Sequence, residues 1–204
     1  FILNGGLNGI FIVFDGKAIL GTRARKIRSK SFAAFDSIGY PIAAFIDDNQ
    51  IIKYLEAPVV QGEVRFAPSI SDSVFLLKLI PGIRPEILAY LGEHYDIIVI
   101  ESYGVGGIPF YDKRNFMNEL RTLTEKGKII VIATQVMLEG SDAEKYEVGA
   151  LALDRYNVLQ SFDMTVESAV TKLMWLCAEH SDYEEIRDGF YTCINHDLLY
   201  EPKN

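Results

Sequence analysis

The chain has 204 residues, 49% hydrophobic and 24% charged, with a formal net charge of −8. This is the composition of a globular protein, long enough for one large domain or two small ones. The acidic balance argues against general nucleic-acid binding, since phosphate contacts need Lys and Arg. No apolar run approaches the roughly 20 residues of a membrane span, and the opening FILNGG has neither the charged region nor the cleavage site of a signal peptide. Two cysteines make no disulfide framework. A cytoplasmic protein that engages neither nucleic acid nor membrane is expected.

In chain order, Gly9–Gly21 reads as a β-hairpin. IFIVF and KAIL flank Asp15-Gly16, and Asp-Gly between apolar runs signals a tight primed turn. Thr22–Ser31, TRARKIRSKS, carries five basic residues, Arg23, Arg25, Lys26, Arg28 and Lys30. Three readings stand beside one another: a solvated charged loop, a nucleic-acid patch, or a segment in which one lysine turns inward to do chemistry. The residues alone do not say which lysine that would be. Short strands are expected at Ala43–Ile46 and Ile51–Leu55 around Asp47-Asp48-Asn49. Ala57–Ser71, with Pro58, Gly62 and Pro68, reads as a boundary between domains.

From Ser73 onward strands alternate with helices. Val74–Ile80 reads as a strand, and Pro85–His94 as a short helix with proline in its first turn. Asp96–Pro109, DIIVIESYGVGGIP, is the organising stretch: Ile97–Ile100 run without alternation, as in a parallel strand covered on both faces. A glycine turn, a helix over Asn115–Glu125 and a second apolar strand, Lys128–Thr134, complete a crossover unit of right-handed type. Val148–Leu159 is ambiguous between a helical turn and an extended piece. Asp163–His180 is the clearest helix, with Asp163 or Thr165 as its N-cap, and a last helix falls within Tyr183–Phe190. The fold class is α/β, a small parallel-sheet domain of three layers with helices on both faces. Ligands in such sheets sit beyond the carboxyl ends of the strands, which points to Ser102–Pro109 and Thr134–Tyr146.

Three constellations could carry chemistry. GVGGIP departs from the dinucleotide fingerprint, because the third glycine would fall at Pro109, and no phosphate-loop lysine follows; glycines that turn the chain off a buried strand explain it more simply. Cys177, His180, Cys193 and His196 make a C-x-x-H…C-x-x-H set, yet Cys177 lies on an apolar helix stripe and serves there as a small hydrophobe; neither metal nor cofactor is expected. Thr134 and Gln135 end a buried strand, with Glu139 close behind. They could bind a polar ligand, with Glu139 reading an amino group, or cap the strand and face water.

Taken together, several stretches resemble one family. SYGVGGIP at Ser102–Pro109, TQ at Thr134-Gln135, YEVG at Tyr146–Gly149 and DMTVESAVTKLMW at Asp163–Trp175 are similar to the C-terminal half of bacterial L-asparaginases. The likeness is closest to the cytoplasmic type I branch. VFDGKAILGTRARKIRSKSFAAF at Val13–Phe35 is similar to the hairpin and basic loop that close the family's N-terminal domain. The resemblance implies hydrolysis of the side-chain amide of L-asparagine. In the family a threonine attacks, and a Thr–Asp–Lys group relays the proton. The G-x-x-x-x-K pattern from Gly21 assigns that lysine to Lys26. A homodimer or homotetramer is implied, because family members build the active site from two subunits.

Departures from the family pattern matter as much. The family's T-G-G-T-I and H-G-T-D-T motifs, which carry the nucleophile and the relay threonine and aspartate, do not occur in these 204 residues. The expectation is therefore an asparaginase C-terminal domain over 72–204. Residues 1–57 would be a remnant of the N-terminal domain, joined by a linker to about 71, and the chain alone would be inactive. Gly107 stands where type I enzymes often carry the asparagine that reaches a neighbouring subunit. The positions matching the family's allosteric pocket are Arg25, Glu101 and Val136, and a carboxylate in place of its arginine implies that this control is vestigial. The alternatives are an asparaginase-like subunit of a tRNA-dependent amidotransferase and a non-catalytic amino-acid-binding module.

Overall fold

In the computed structural model, which describes residues 6–56, 66–145 and 147–200, the chain opens on an antiparallel sheet. Strands β1 (Phe11–Phe14) and β2 (Lys17–Leu20) form the expected hairpin, paired Phe11↔Leu20 through Phe14↔Lys17. Asp15 and Gly16 both take positive φ, at 50° and 70°, the backbone of a primed two-residue turn. A ribbon follows, β3 (Ala24–Lys26) against β4 (Phe35–Ser37), so the basic segment begins as a strand. β5 (Ala44–Asp47) and β6 (Gln50–Lys53) then complete the first sheet in the order β1-β2-β5-β6, turning at Asp48-Asn49. Pro58 and Gly62 of the expected boundary lie outside the described residues.

The second half is a parallel sheet with strand order β10-β9-β8-β7. It is built from β7 (Val74–Lys78), α1 (Glu86–His94), β8 (Ile97–Ser102), α2 (Met117–Glu125), β9 (Ile129–Thr134), α3 (Glu147–Tyr156), β10 (Leu159–Gln160), α4 (Val166–Glu179) and α5 (Tyr183–Tyr191). The ambiguous stretch after residue 147 resolves into a full helix and a two-residue strand. Thr165, not Asp163, caps α4, its hydroxyl accepting from the Ser168 N–H at 3.1 Å.

Side-chain alternation sorts the sheet into layers. Ile98, Ile100, Ile130 and Ile132 pack toward α1, α2 and α3 with Leu88, Phe116 and Leu120. Ile97, Val99, Ile129 and Val131 face the opposite way, toward α4 and α5, with Leu173, Leu176 and Phe190. Every residue of β8 and β9 is buried, so the apolar runs lack polar alternation because both faces are covered. This is the expected three-layer α/β arrangement. Among the described residues no helix is long and apolar enough to cross a membrane.

Candidate active site

The site is built around the β3–β4 ribbon and the start of α4. β3 pairs Ala24↔Ser37, Arg25↔Asp36 and Lys26↔Phe35. Its first residue is buried, its second half-buried and its third exposed. Lys26 thus ends the strand with its ammonium outward, 5.9 Å from the centre of the Phe35 ring.

The residue just before the strand overturns the solvated-loop reading. Arg23 is fully buried, with 0% exposure. Its Nε donates to the His196 carbonyl at 2.5 Å, Nη1 to the Asp163 carbonyl at 2.8 Å, and Nη2 to Asp163 Oδ2 at 2.7 Å. The guanidinium also lies 5.6 Å from the centre of the Tyr40 ring, which stacks on His196. The inward-turned basic residue is therefore an arginine, held by a rigid donor fork that a lysine could not supply. Two further links reinforce it. Thr22 Oγ1 donates to the Asn195 carbonyl at 2.7 Å, and Thr165 Oγ1 donates to the Thr22 carbonyl at 3.1 Å. One residue into the strand, Arg25 Nε lies 3.1 Å from Glu167 Oε1 in the first turn of α4.

A cleft of about 300 Å³ opens between ribbon and sheet, lined among others by Arg25, Gly39, Val136, Glu139, Asp163 and Thr165. Glu139 also borders a neighbouring cleft of about 420 Å³ with Asp142, Lys145 and Tyr200. The structure therefore brings Arg25, Val136 and Glu139 together. Glu101 does not line that cleft; it is buried at the end of β8, 3.8 Å from Lys78 Nζ. Gly107 lies elsewhere, in a turn closed by a bridge to Tyr103, beside Phe110 and Tyr111.

Thr134 is buried at the edge of the cleft of about 300 Å³ and Gln135 is half-buried, and both side chains hydrogen-bond within the protein. Thr134 Oγ1 donates to the Gly104 carbonyl, and Gln135 Nε2 donates to the carbonyls of Leu79 at 2.7 Å and Glu101 at 3.0 Å. They tie the ends of three strands to the glycine turn, where Gly106 has φ of 140° and a Cβ would meet Ala143 Cα at 2.7 Å. The glycines thus serve the turn. The cysteine–histidine set is dispersed in role: Cys177 packs on the core and burial pushes its thiol up, while His180 sits 3.3 Å from Glu185. Among the described residues no group of three or more His, Cys, Asp or Glu side chains could hold a metal. Tyr146 of the YEVG stretch lies outside the described residues.

Family models decide the relationship. The glutaminase/asparaginase C-terminal domain matches residues 73–190, and the N-terminal asparaginase domain matches residues 4–59. The chain belongs to the glutaminase/asparaginase family. An L-asparaginase of Thermococcus kodakarensis is 39% identical over 182 residues, covering 89% of this chain and 55% of that protein. The solved structure of the thermostable L-asparaginase from Thermococcus kodakarensis superposes with a TM-score of 0.90 at 35% identity, over 97% of this chain and 60% of that one. A glutamyl-tRNA(Gln) amidotransferase component from Methanosphaera stadtmanae is 30% identical over 185 residues, covering 87% of this chain and 41% of that protein. The asparaginase-family chain thus spans between two fifths and three fifths of the length of these relatives. Arg23 and Asp163 are the site residues that sequence reasoning missed as partners; 140 positions separate them, and no local pattern joins them.

Proposed function

We propose that this chain serves the hydrolysis of the side-chain amide of L-asparagine to aspartate and ammonia, within the cytoplasmic type I branch. The observation that carries the reading is the placement of Lys26: its strand is anchored at Arg23 and Arg25, while its ammonium is exposed. A proton relay needs that combination, a fixed backbone and a charge open to a reacting partner. A threonine hydroxyl attacks the amide carbon, ammonia leaves, and water cleaves the threonyl ester. The nucleophile belongs to a motif that these 204 residues lack, so in this reading the chain alone is inactive; the N-terminal family match over residues 4–59 supports assigning residues 1–57 to that domain.

Within the same proposal Glu139 reads the substrate's amino group from a neighbouring subunit, and Gly107 lies at a subunit contact in a homodimer or homotetramer. Arg25, Glu101 and Val136 are the vestigial allosteric positions. The 30% identity to a glutamyl-tRNA(Gln) amidotransferase component favours a second reading, amide hydrolysis coupled to a tRNA-dependent partner. Ammonia release by the complete gene product separates them. Turnover of free L-asparagine, lost by about 100-fold or more in Lys26→Met, supports the first. Release that requires a partner protein and charged tRNA supports the second, and release from the 204-residue chain alone means that the nucleophile has been assigned wrongly.

A further inference from the structure

The structure points to a clasp that positions Lys26, and we propose that Arg23 and Asp163 are positioning residues for the relay lysine; this rests on the role proposed above for Lys26. A three-residue strand has little to hold it. β3 has one buried side chain, Ala24, so apolar burial cannot fix its place. The buried Arg23 fork supplies most of the fixing, with the partly exposed Arg25–Glu167 pair behind it. Two of the fork's contacts are to Asp163 and one is to the His196 carbonyl, all inside the protein.

Asp163 is itself held from the other side. Its Oδ1 accepts from the Leu199 N–H at 3.0 Å and the Tyr200 N–H at 3.3 Å. The pair thereby ties three segments into one node: the entry to β3, the lead into α4, and the stretch 195–200. Lys26 lies three residues from the node, along a strand too short to absorb a displacement at its start. A shift of Arg23 therefore moves Lys26.

A second buried ion pair supplies the control. Lys172 Nζ lies 2.8 Å from Asp197 Oδ2 and donates to the Thr192 carbonyl at 2.6 Å, while Asp197 Oδ1 accepts from the Ile194 N–H at 2.7 Å. It pins the same C-terminal stretch but makes no hydrogen bond to residues 22–26 among those described. Two pairs of similar burial thus hold one segment; Arg23–Asp163 bonds the entry to the relay strand directly, whereas Lys172–Asp197 reaches it only through the Asn195 and His196 carbonyls.

The test places Asp163→Asn and Asp197→Asn in the complete gene product, removing one buried charge from each pair. Both are expected to lower Tm by similar amounts. Asp163→Asn alone is expected to lower kcat about 10–100-fold with KM within about twofold, the mark of a displaced reacting group. It alone should also speed amide hydrogen exchange in the peptide covering residues 22–28. Arg23→Lys, which keeps the charge but loses the fork, is expected to fall in kcat with it, and it replaces Asp163→Asn should that variant fail to fold. Equal loss of kcat in both aspartate variants, or unchanged exchange at 22–28 in Asp163→Asn, overturns the proposal. If the wild type releases no ammonia, the functional reading fails, and hydrogen exchange still decides whether the clasp holds β3.

Discussion

The parallel sheet and the β3–β4 ribbon are held by different forces, and the difference shows in what each tolerates. In the sheet, β8 and β9 bury all their side chains between two helical layers. A conservative change there costs little, about 0.5–1.5 kcal/mol, because one methylene is a small part of a broad apolar contact surface. The ribbon consists of two three-residue strands, and its entry is held chiefly by one guanidinium at 0% exposure, with the Arg25–Glu167 pair and the Thr22 and Thr165 hydroxyls beside it. Redundant apolar packing is forgiving, whereas one buried charge pair is brittle.

The largest expected effect is at the brittle point. Arg23→Ala leaves Asp163 with Oδ2 unpaired and largely buried, and breaking such a pair from one side costs about 3–5 kcal/mol. Equilibrium denaturation of this chain should show that loss. A cost under about 1 kcal/mol would remove the contrast between the regions. Thr165→Ala comes next, at about 0.5–2 kcal/mol, because the hydroxyl both caps α4 and donates to the Thr22 carbonyl. Thr165→Ser retains both bonds and should recover most of the loss. In the sheet, Ile98→Val removes one methylene from a fully buried position and should cost about 0.5–1.5 kcal/mol. A loss as large as that of Arg23→Ala would mean the sheet is not redundantly packed.

The same difference explains what is legible in the sequence. Unbroken β-branched runs at Ile97–Ile100 and Ile129–Ile132 report burial on both faces through composition alone, so strands, layers and class can be read. The hairpin at Asp15-Gly16 is legible because positive φ at two successive positions demands those residues. The short strand within the basic run is not, since β3 has a buried, a half-buried and an exposed residue and no apolar period. Five cations in one segment look alike until the fold gives one of them a carboxylate 140 residues away. For the same reason the strand-end roles of Thr134 and Gln135 are invisible in sequence: their acceptors are backbone carbonyls of Leu79, Glu101 and Gly104, which carry no residue-type signal. Lys26 is reached through motif resemblance, and the structure adds its exposure and its anchored strand.

The smallest effect tests whether brittleness comes from charge or from burial. Asp96, the residue just before β8, accepts from Lys128 Nζ at 2.8 Å and from Ser73 Oγ at 2.6 Å. The bond from Lys128, and after it that from Ser73, holds its carboxyl below the ordinary 3.8. A carboxylate depressed in the folded state stabilises it above the unfolded value, and that contribution is lost as the pH falls through the folded one. The Asp96 side chain is 63% exposed, so solvent screens the pair and Lys128→Met should cost about 0.2–1 kcal/mol at neutral pH. The difference between Lys128→Met and the wild type should shrink as the pH drops below 3.8 and also in high salt. The pair has a geometry comparable to that of Arg23 and Asp163, 2.8 Å against 2.7 Å. If Lys128→Met costs as much as Arg23→Ala, the ionic contact itself sets the cost and burial is irrelevant. If it costs several-fold less, the clasp is brittle because it is dry.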